Sequence, residues 1–83
     1  ISPLFVPIMR ALTREGLDAR VVELNTAAGV AANAARVTSA IREAEKPVWL
    51  ATYSKGGLDT LEALLAEPDL LSRVAGWFPM QAP

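Results

Sequence analysis

Val48-Trp49-Leu50-Ala51-Thr52-Tyr53-Ser54-Lys55-Gly56-Gly57-Leu58-Asp59-Thr60-Leu61-Glu62-Ala63-Leu64-Leu65 is the stretch on which the fold turns. VWLAT is a short apolar run of strand formers, YSKGG is a tight turn, and LDTLEALL carries the spacing of an amphipathic helix. A strand that passes into a helix through so few residues puts Ser54 on the corner. The backbone there is expected to be strained and the side chain pushed outward, with Gly56 letting the turn pass close to the strand and Gly57 letting the helix start tightly against it.

Toward the N-terminus, Lys46-Pro47 ends a preceding helix, because the residue before proline is driven out of helical geometry. That helix is expected to begin between Gly29 and Asn33. Val30, Ala34, Val37, Ile41 and Ala44 form its apolar side, and Arg36, Arg42, Glu43 and Glu45 its polar side. Asn25 and Thr26 are candidates to cap or precede it. Ala19 to Leu24 has the length and β-branched content of a strand. Before it, Pro7 to Glu15 reads as a helix stopped by Gly16; its apolar side runs through Leu4, Phe5, Ile8, Met9 and Leu12, and Ser2-Pro3 could start it a turn earlier. Leu12 and Leu17 are expected in the core.

Toward the C-terminus, Leu58, Leu61, Leu64 and Leu65 are expected to face a sheet, with Asp59 and Glu62 in or near the first turns of their helix, where negative charge suits its dipole. Pro68 closes that helix. Asp69 to Ser72 reads as a turn with two anchoring leucines, and Arg73 to Phe78 as a last strand before Pro79. Helices alternating with strands imply crossover connections and a parallel sheet. The expected fold is therefore α/β: three layers, with a parallel sheet of about three strands, in one partial domain over residues 1–83.

The chain has 83 residues, 52% of them hydrophobic, and a net charge of −1. A chain this short buries only about 60% of its unfolded surface, so apolar surface in excess of what it can cover is expected. Uncovered sheet edges would then favour assembly with other sequence or with a second copy. Lys and Arg are interspersed with Asp and Glu, which gives no basic face for nucleic acid. No apolar run reaches the roughly 18 residues of a membrane span, and the N-terminus lacks a signal-peptide layout; a soluble chain is expected. Starting at Ile1 and ending at Pro83, it is expected to be a piece of something longer. Cysteine and histidine are both absent, and no metal or cofactor is expected.

The chemistry rests on Ser54. A hydroxyl raised over the carboxyl ends of parallel strands can meet an ester carbonyl, and the N–H of Lys55 can stabilise the oxyanion at the helix N-terminus. The plainer alternative is a serine that caps a helix. A Ser54-Lys55 dyad is disfavoured because neighbours at a sharp turn point apart. A phosphate loop is excluded by the missing G-x-x-x-x-G-K-[ST] order. Asp18, Asp59 and Asp69 each have a local turn or helix-start role; Trp49, Tyr53 and Trp77 read as packing residues.

The run Thr52-Tyr53-Ser54-Lys55-Gly56 resembles the G-x-S-x-G nucleophile elbow of α/β-hydrolases, serine esterases and lipases. The likeness extends over most of the chain. Leu12 to Leu24 looks like the family's first helix and following strand, Asn33 to Lys46 like the helix before the nucleophile strand, Pro47 to Leu58 like the nucleophile stretch, and Trp77 to Pro83 like the strand leaving toward the substrate loops. The resemblance implies a small-molecule or lipid ester as substrate, Ser54 as nucleophile and the Lys55 N–H as oxyanion donor. It departs at Thr52, which stands in place of the first glycine and is expected to crowd the helix. It also implies that the acid and the histidine come from other sequence or another chain, so that these 83 residues alone should be inactive or nearly so.

Overall fold

The computed structural model describes residues 5–25 and 27–80. Its elements run α1 (Phe5–Arg14), α2 (Val30–Glu43), β1 (Val48–Tyr53), α3 (Lys55–Ala66), a 3-10 helix (Pro68–Arg73) and β2 (Val74–Met80). The proposed start at Ser2-Pro3, the capping role of Thr26 and the last three residues of the Trp77 to Pro83 run lie outside the described residues.

Pro7 neither breaks α1 nor begins it. It sits in the first turn, where the helix has no carbonyl waiting for its missing N–H. At the other end Gly16, at φ 82°, makes the left-handed stop: its N–H donates to Thr13 O at 3.0 Å and that of Leu17 to Leu12 O at 3.0 Å. Leu12 is half-buried, but Leu17 is exposed, contrary to its expected place in the core.

β1 and β2 pair in parallel, with α3 and the 3-10 helix as the crossover between them. The fold is thus mixed α/β with a two-stranded parallel sheet. The third strand, expected over Ala19 to Leu24, does not form among the described residues. Strand-forming composition needs a neighbouring ladder; instead, side chains of α2 bond the backbone at Glu23 within the segment and at Asn25 just after it. Buried Asn33 accepts from the N–H of Asn25 at 3.2 Å and donates to its carbonyl at 2.8 Å, while Arg36 Nη1 donates to Glu23 O at 3.2 Å. Backbone groups that would have sought a strand find an amide and a guanidinium instead.

The core is one-sided. Ala34, Val37 and Ile41 of α2 meet Ala63 and Leu64 of α3 and Leu70 of the 3-10 helix, with Val48, Leu50, Val74 and Trp77 supplying the inner face of the sheet. Three layers are not present among the described residues: helices cover one face, and the other stays open. The α2 periodicity is as expected, but the leucine stripe of α3 is not. Leu64 is buried, whereas Leu58, Leu61 and Leu65 are exposed, and the inward positions are held by Asp59, Thr60, Ala63 and Leu64.

A bulge shapes the sheet. Val48 pairs with Val74, but Trp49 pairs with Gly76, so Ala75 is an extra residue on β2. The inserted residue shifts the alternation, sending Trp77 inward and Phe78 outward. Trp77 Nε1 then donates to Thr52 Oγ1 at 2.9 Å. On the open face Phe78 stacks on Trp49 with ring centroids 5.5 Å apart and planes 19° from parallel. Trp49, expected to be packed inside a central strand, is 67% exposed. Pro79, expected to follow the strand, lies within β2 opposite Thr52, which an edge strand tolerates because one of its sides has no partner strand to receive an N–H.

Gly76 is required by Trp49. A β-carbon there would overlap Cζ3 and Cε3 of the indole, which lies across the glycine. Gly76→Ala is expected to swing the indole off Phe78 and to cost about 1 kcal/mol, the scale of a lost aromatic stack. Loss of ring-current shifts between Trp49 and Phe78 in the NMR spectrum would report it; unchanged shifts would contradict the fit.

Arg42 ties α2 to the α3 end, through Glu67 Oε1 at 2.9 Å and Asp69 Oδ2 at 3.0 Å. Its hydrogen bond holds the Asp69 carboxyl below its ordinary value, against a smaller opposing effect of desolvation. A carboxyl lowered in the folded state contributes stability above its unfolded value, and that contribution is lost as pH falls through the folded value. Arg42→Gln should move the Asp69 midpoint upward in an NMR titration; an unmoved midpoint would remove Arg42 as the cause. No described helix is long and apolar enough to cross a membrane.

Candidate functional site

The corner at Ser54 forms where β1 gives way to α3 with no intervening residue but Ser54 itself. Ser54 has φ 53° and ψ −122° and is the one non-glycine residue at positive φ among those described. These angles match the first central residue of a type II′ turn, a place glycine dominates. Holding serine there costs about 1–3 kcal/mol. Two backbone bonds hold the corner: the Ser54 N–H donates to Met80 O at 2.7 Å, extending the β1–β2 ladder by one residue, and the Gly57 N–H donates to Ser54 O at 3.0 Å.

Ser54 occupies the N-cap position, yet its side chain makes no capping hydrogen bond. Its hydroxyl is exposed. The plainer reading, a serine kept to cap the helix, therefore lacks the contact that would explain it. The N–H groups of Lys55 and Gly56 fall in the first turn of α3, where a helix provides no carbonyl partner, and no acidic residue lies in that turn to neutralise the positive end of the dipole. The corner thus brings together an exposed hydroxyl and two N–H groups.

The glycines play a smaller part than expected. A β-carbon on Gly56 would meet nothing within 4 Å, and one on Gly57 would lie 3.5 Å from Thr52 Oγ1, an ordinary contact. The strain sits on Ser54 rather than on its neighbours. Thr52, expected to crowd the helix, instead accepts the Trp77 indole N–H and leaves room for the Gly57 turn. Tyr53 ends β1 half-buried, opposite Met80.

Asp59 lies near the start of α3, in its second turn, in keeping with its expected place, but it is 1% exposed, a burial that place did not foretell. Lys55 Nζ reaches both its carboxylate oxygens, at 3.1 and 3.4 Å. The i, i+4 spacing was the available signal, but with the lysine ahead of the acid it is the weaker order on a free helix and suggests a surface pair. Asp18 pairs with Arg20 and Asp69 with Arg42, both exposed. None of the three aspartates is brought to the Ser54 hydroxyl by a hydrogen bond among the described residues. A shallow groove of about 400 Å³ runs between Val22-Glu23 and α2, away from the corner.

No protein-family model matches the chain, and no curated protein or solved structure matches it.

Proposed function

We propose that the chain carries the nucleophile of a serine hydrolase acting on carboxylic esters, within a partial α/β-hydrolase fold. The observation that carries this reading is Ser54 itself: an exposed, non-capping serine at φ 53°, ψ −122° on the corner between a parallel strand and a helix. The tight strand-to-helix turn imposes the strain, no capping bond explains a serine in that place, and strained residues of this kind gather where chemistry is done. Ser54 Oγ attacks the ester carbonyl carbon and passes its proton to a base. The N–H of Lys55 stabilises the oxyanion, and collapse expels the alcohol, which takes the proton back. Water then releases the acid from the acyl-serine.

The sequence contains no histidine, so on this reading a histidine base, with the triad acid that orients it, is supplied by other sequence or another chain. A small-molecule or lipid ester is the substrate class. The test is a fluorophosphonate probe, which should label Ser54 once the base is supplied and leave Ser54→Ala unlabelled.

A second reading is an α/β module that acts through assembly, including self-association through its sheet edges. It is favoured by the open sheet face, where Trp49 and Phe78 are 67% and 62% exposed. Probe labelling at Ser54 separates the two readings.

A further inference from the structure

The two edges of the sheet are not equivalent. In a parallel pair, residues whose N–H and C=O face the neighbouring strand alternate with residues whose groups face away. The Ser54 N–H to Met80 O bond fixes which are which. With Tyr53 opposite Met80 and Ala51 opposite Phe78, Phe78 and Met80 turn their backbone groups toward β1, and Trp77 and Pro79 turn theirs outward. On β1, Leu50 and Thr52 face β2, whereas Trp49 and Ala51 face away. The outer edge of β2 is thus interrupted at Pro79, which has no N–H to offer. The outer edge of β1 keeps the N–H and C=O of Trp49 and Ala51, and among the described residues no backbone or side-chain group takes them up. An edge of this kind is a template for another strand.

We propose that the outer edge of β1 is a self-association surface, on which β1 of a second copy pairs antiparallel to give a continuous sheet in the order β2, β1, β1, β2. The proposal deepens the assembly reading and rests on it. A two-fold axis at Leu50 lets Trp49 and Ala51 of one copy exchange N–H to C=O bonds with Ala51 and Trp49 of the other, which uses the outward groups of both residues. The side chains fit the same register. On the open face each Trp49 indole, 67% exposed, lies beside the small, exposed side chain of the other copy's Ala51. On the covered face the two Leu50 side chains meet and extend the core that Leu50 already packs against. Charge favours a second copy as the occupant. Val48 to Tyr53 contains no charged residue, so nothing repels at the axis. Glu45 precedes the strand and Lys55 follows it, and antiparallel pairing about Leu50 sets Glu45 of each copy toward Lys55 of the other, with Lys46 toward the uncharged Ser54. A parallel pairing would bring like ends together.

Sedimentation velocity over a dilution series, read together with amide hydrogen exchange, tests it. The wild type should pass from monomer to dimer as concentration rises, and the Trp49 and Ala51 amides should gain protection with the dimer. Ala51→Pro removes an outward N–H, as Pro79 does on β2, and should weaken dimerisation at least about tenfold, since each dimer loses two hydrogen bonds. Ala51→Lys keeps the backbone donor but puts a charge on the exposed edge, and should weaken it comparably. This second variant keeps the test usable if the proline variant does not fold, and melting curves check both. Folded variants that associate as tightly as the wild type would overturn the role of the β1 edge and leave assembly through another surface. Protection of the Trp49 and Ala51 amides already in the monomer would overturn it too, because the edge would then be filled within one chain. A wild type that stays monomeric at every concentration would overturn both this proposal and the assembly reading, and leave the nucleophile reading of Ser54 untouched.

Discussion

Ser54→Ala and Ser54→Gly should both abolish fluorophosphonate labelling, yet they should part company in stability. The hydroxyl is the reacting group in the proposed function, so either change removes the reaction outright. Alanine inherits the same strained angles and loses no cap bond, because Ser54 makes none; its stability should stay within about 0.5 kcal/mol of wild type. Glycine relieves strain of about 1–3 kcal/mol and gives back about 0.4–1 kcal/mol through its freer unfolded chain. A net gain of about 1 kcal/mol is therefore expected in denaturant melts. A helix-capping serine behaves oppositely: its replacement by alanine costs about 1 kcal/mol and by glycine a few tenths. A destabilised Ser54→Ala would restore the capping explanation, and labelling that persists in it would dismiss the nucleophile.

Leu70→Ala should be among the most damaging single changes outside the corner. Leu70 and Leu71 are adjacent in the 3-10 helix, but Leu70 is fully buried between α2, α3 and the inner sheet face, whereas Leu71 is 58% exposed. Truncating a buried leucine costs about 2–5 kcal/mol through lost transfer energy and the cavity left behind. A chain of this length has about 4–12 kcal/mol in all, so Leu70→Ala should shift the urea midpoint sharply or leave the protein unfolded at 37 °C. Leu71→Ala should change it by about 0.5 kcal/mol or less. Comparable losses from the two would mean that the 3-10 helix does not anchor through Leu70.

What the chain made legible beforehand is uneven for physical reasons. The α2 pattern was readable because Ala34, Val37 and Ile41 face the core, the condition under which helical periodicity reports burial. α3 defeated the same argument. Its four leucines look like a buried stripe, but three face outward, and the buried positions are held by Asp59, Thr60, Ala63 and Leu64. Ala19 to Leu24 failed for another reason. β-branched composition expresses a preference for a ladder without supplying one, and Arg36 of α2 took up the Glu23 carbonyl while Asn33 took up the backbone of Asn25 just beyond.

The candidate site divides the same way. Its residues were readable because a strand, a turn and a helix in immediate succession leave one residue to make the corner, and that residue is Ser54. Its chemistry-bearing detail was not. The lack of a cap bond, the strain concentrated on Ser54 rather than relieved by Gly56 and Gly57, and the anchoring of Lys55 by a buried carboxylate depend on side-chain directions that spacing does not encode.

By itself the sequence determined the strand-to-helix succession at Val48–Leu65, the serine at its corner and the absence of histidine, because these depend on local order and composition. Tertiary structure alone decided that Ala75 bulges, turning Trp77 toward Thr52 and Phe78 onto Trp49, that Gly76 must lie bare beneath the indole, and that Asp59 is buried. Each of these is a contact between segments distant in the chain or a choice of which face packs, and such choices are settled only when the competing surfaces meet.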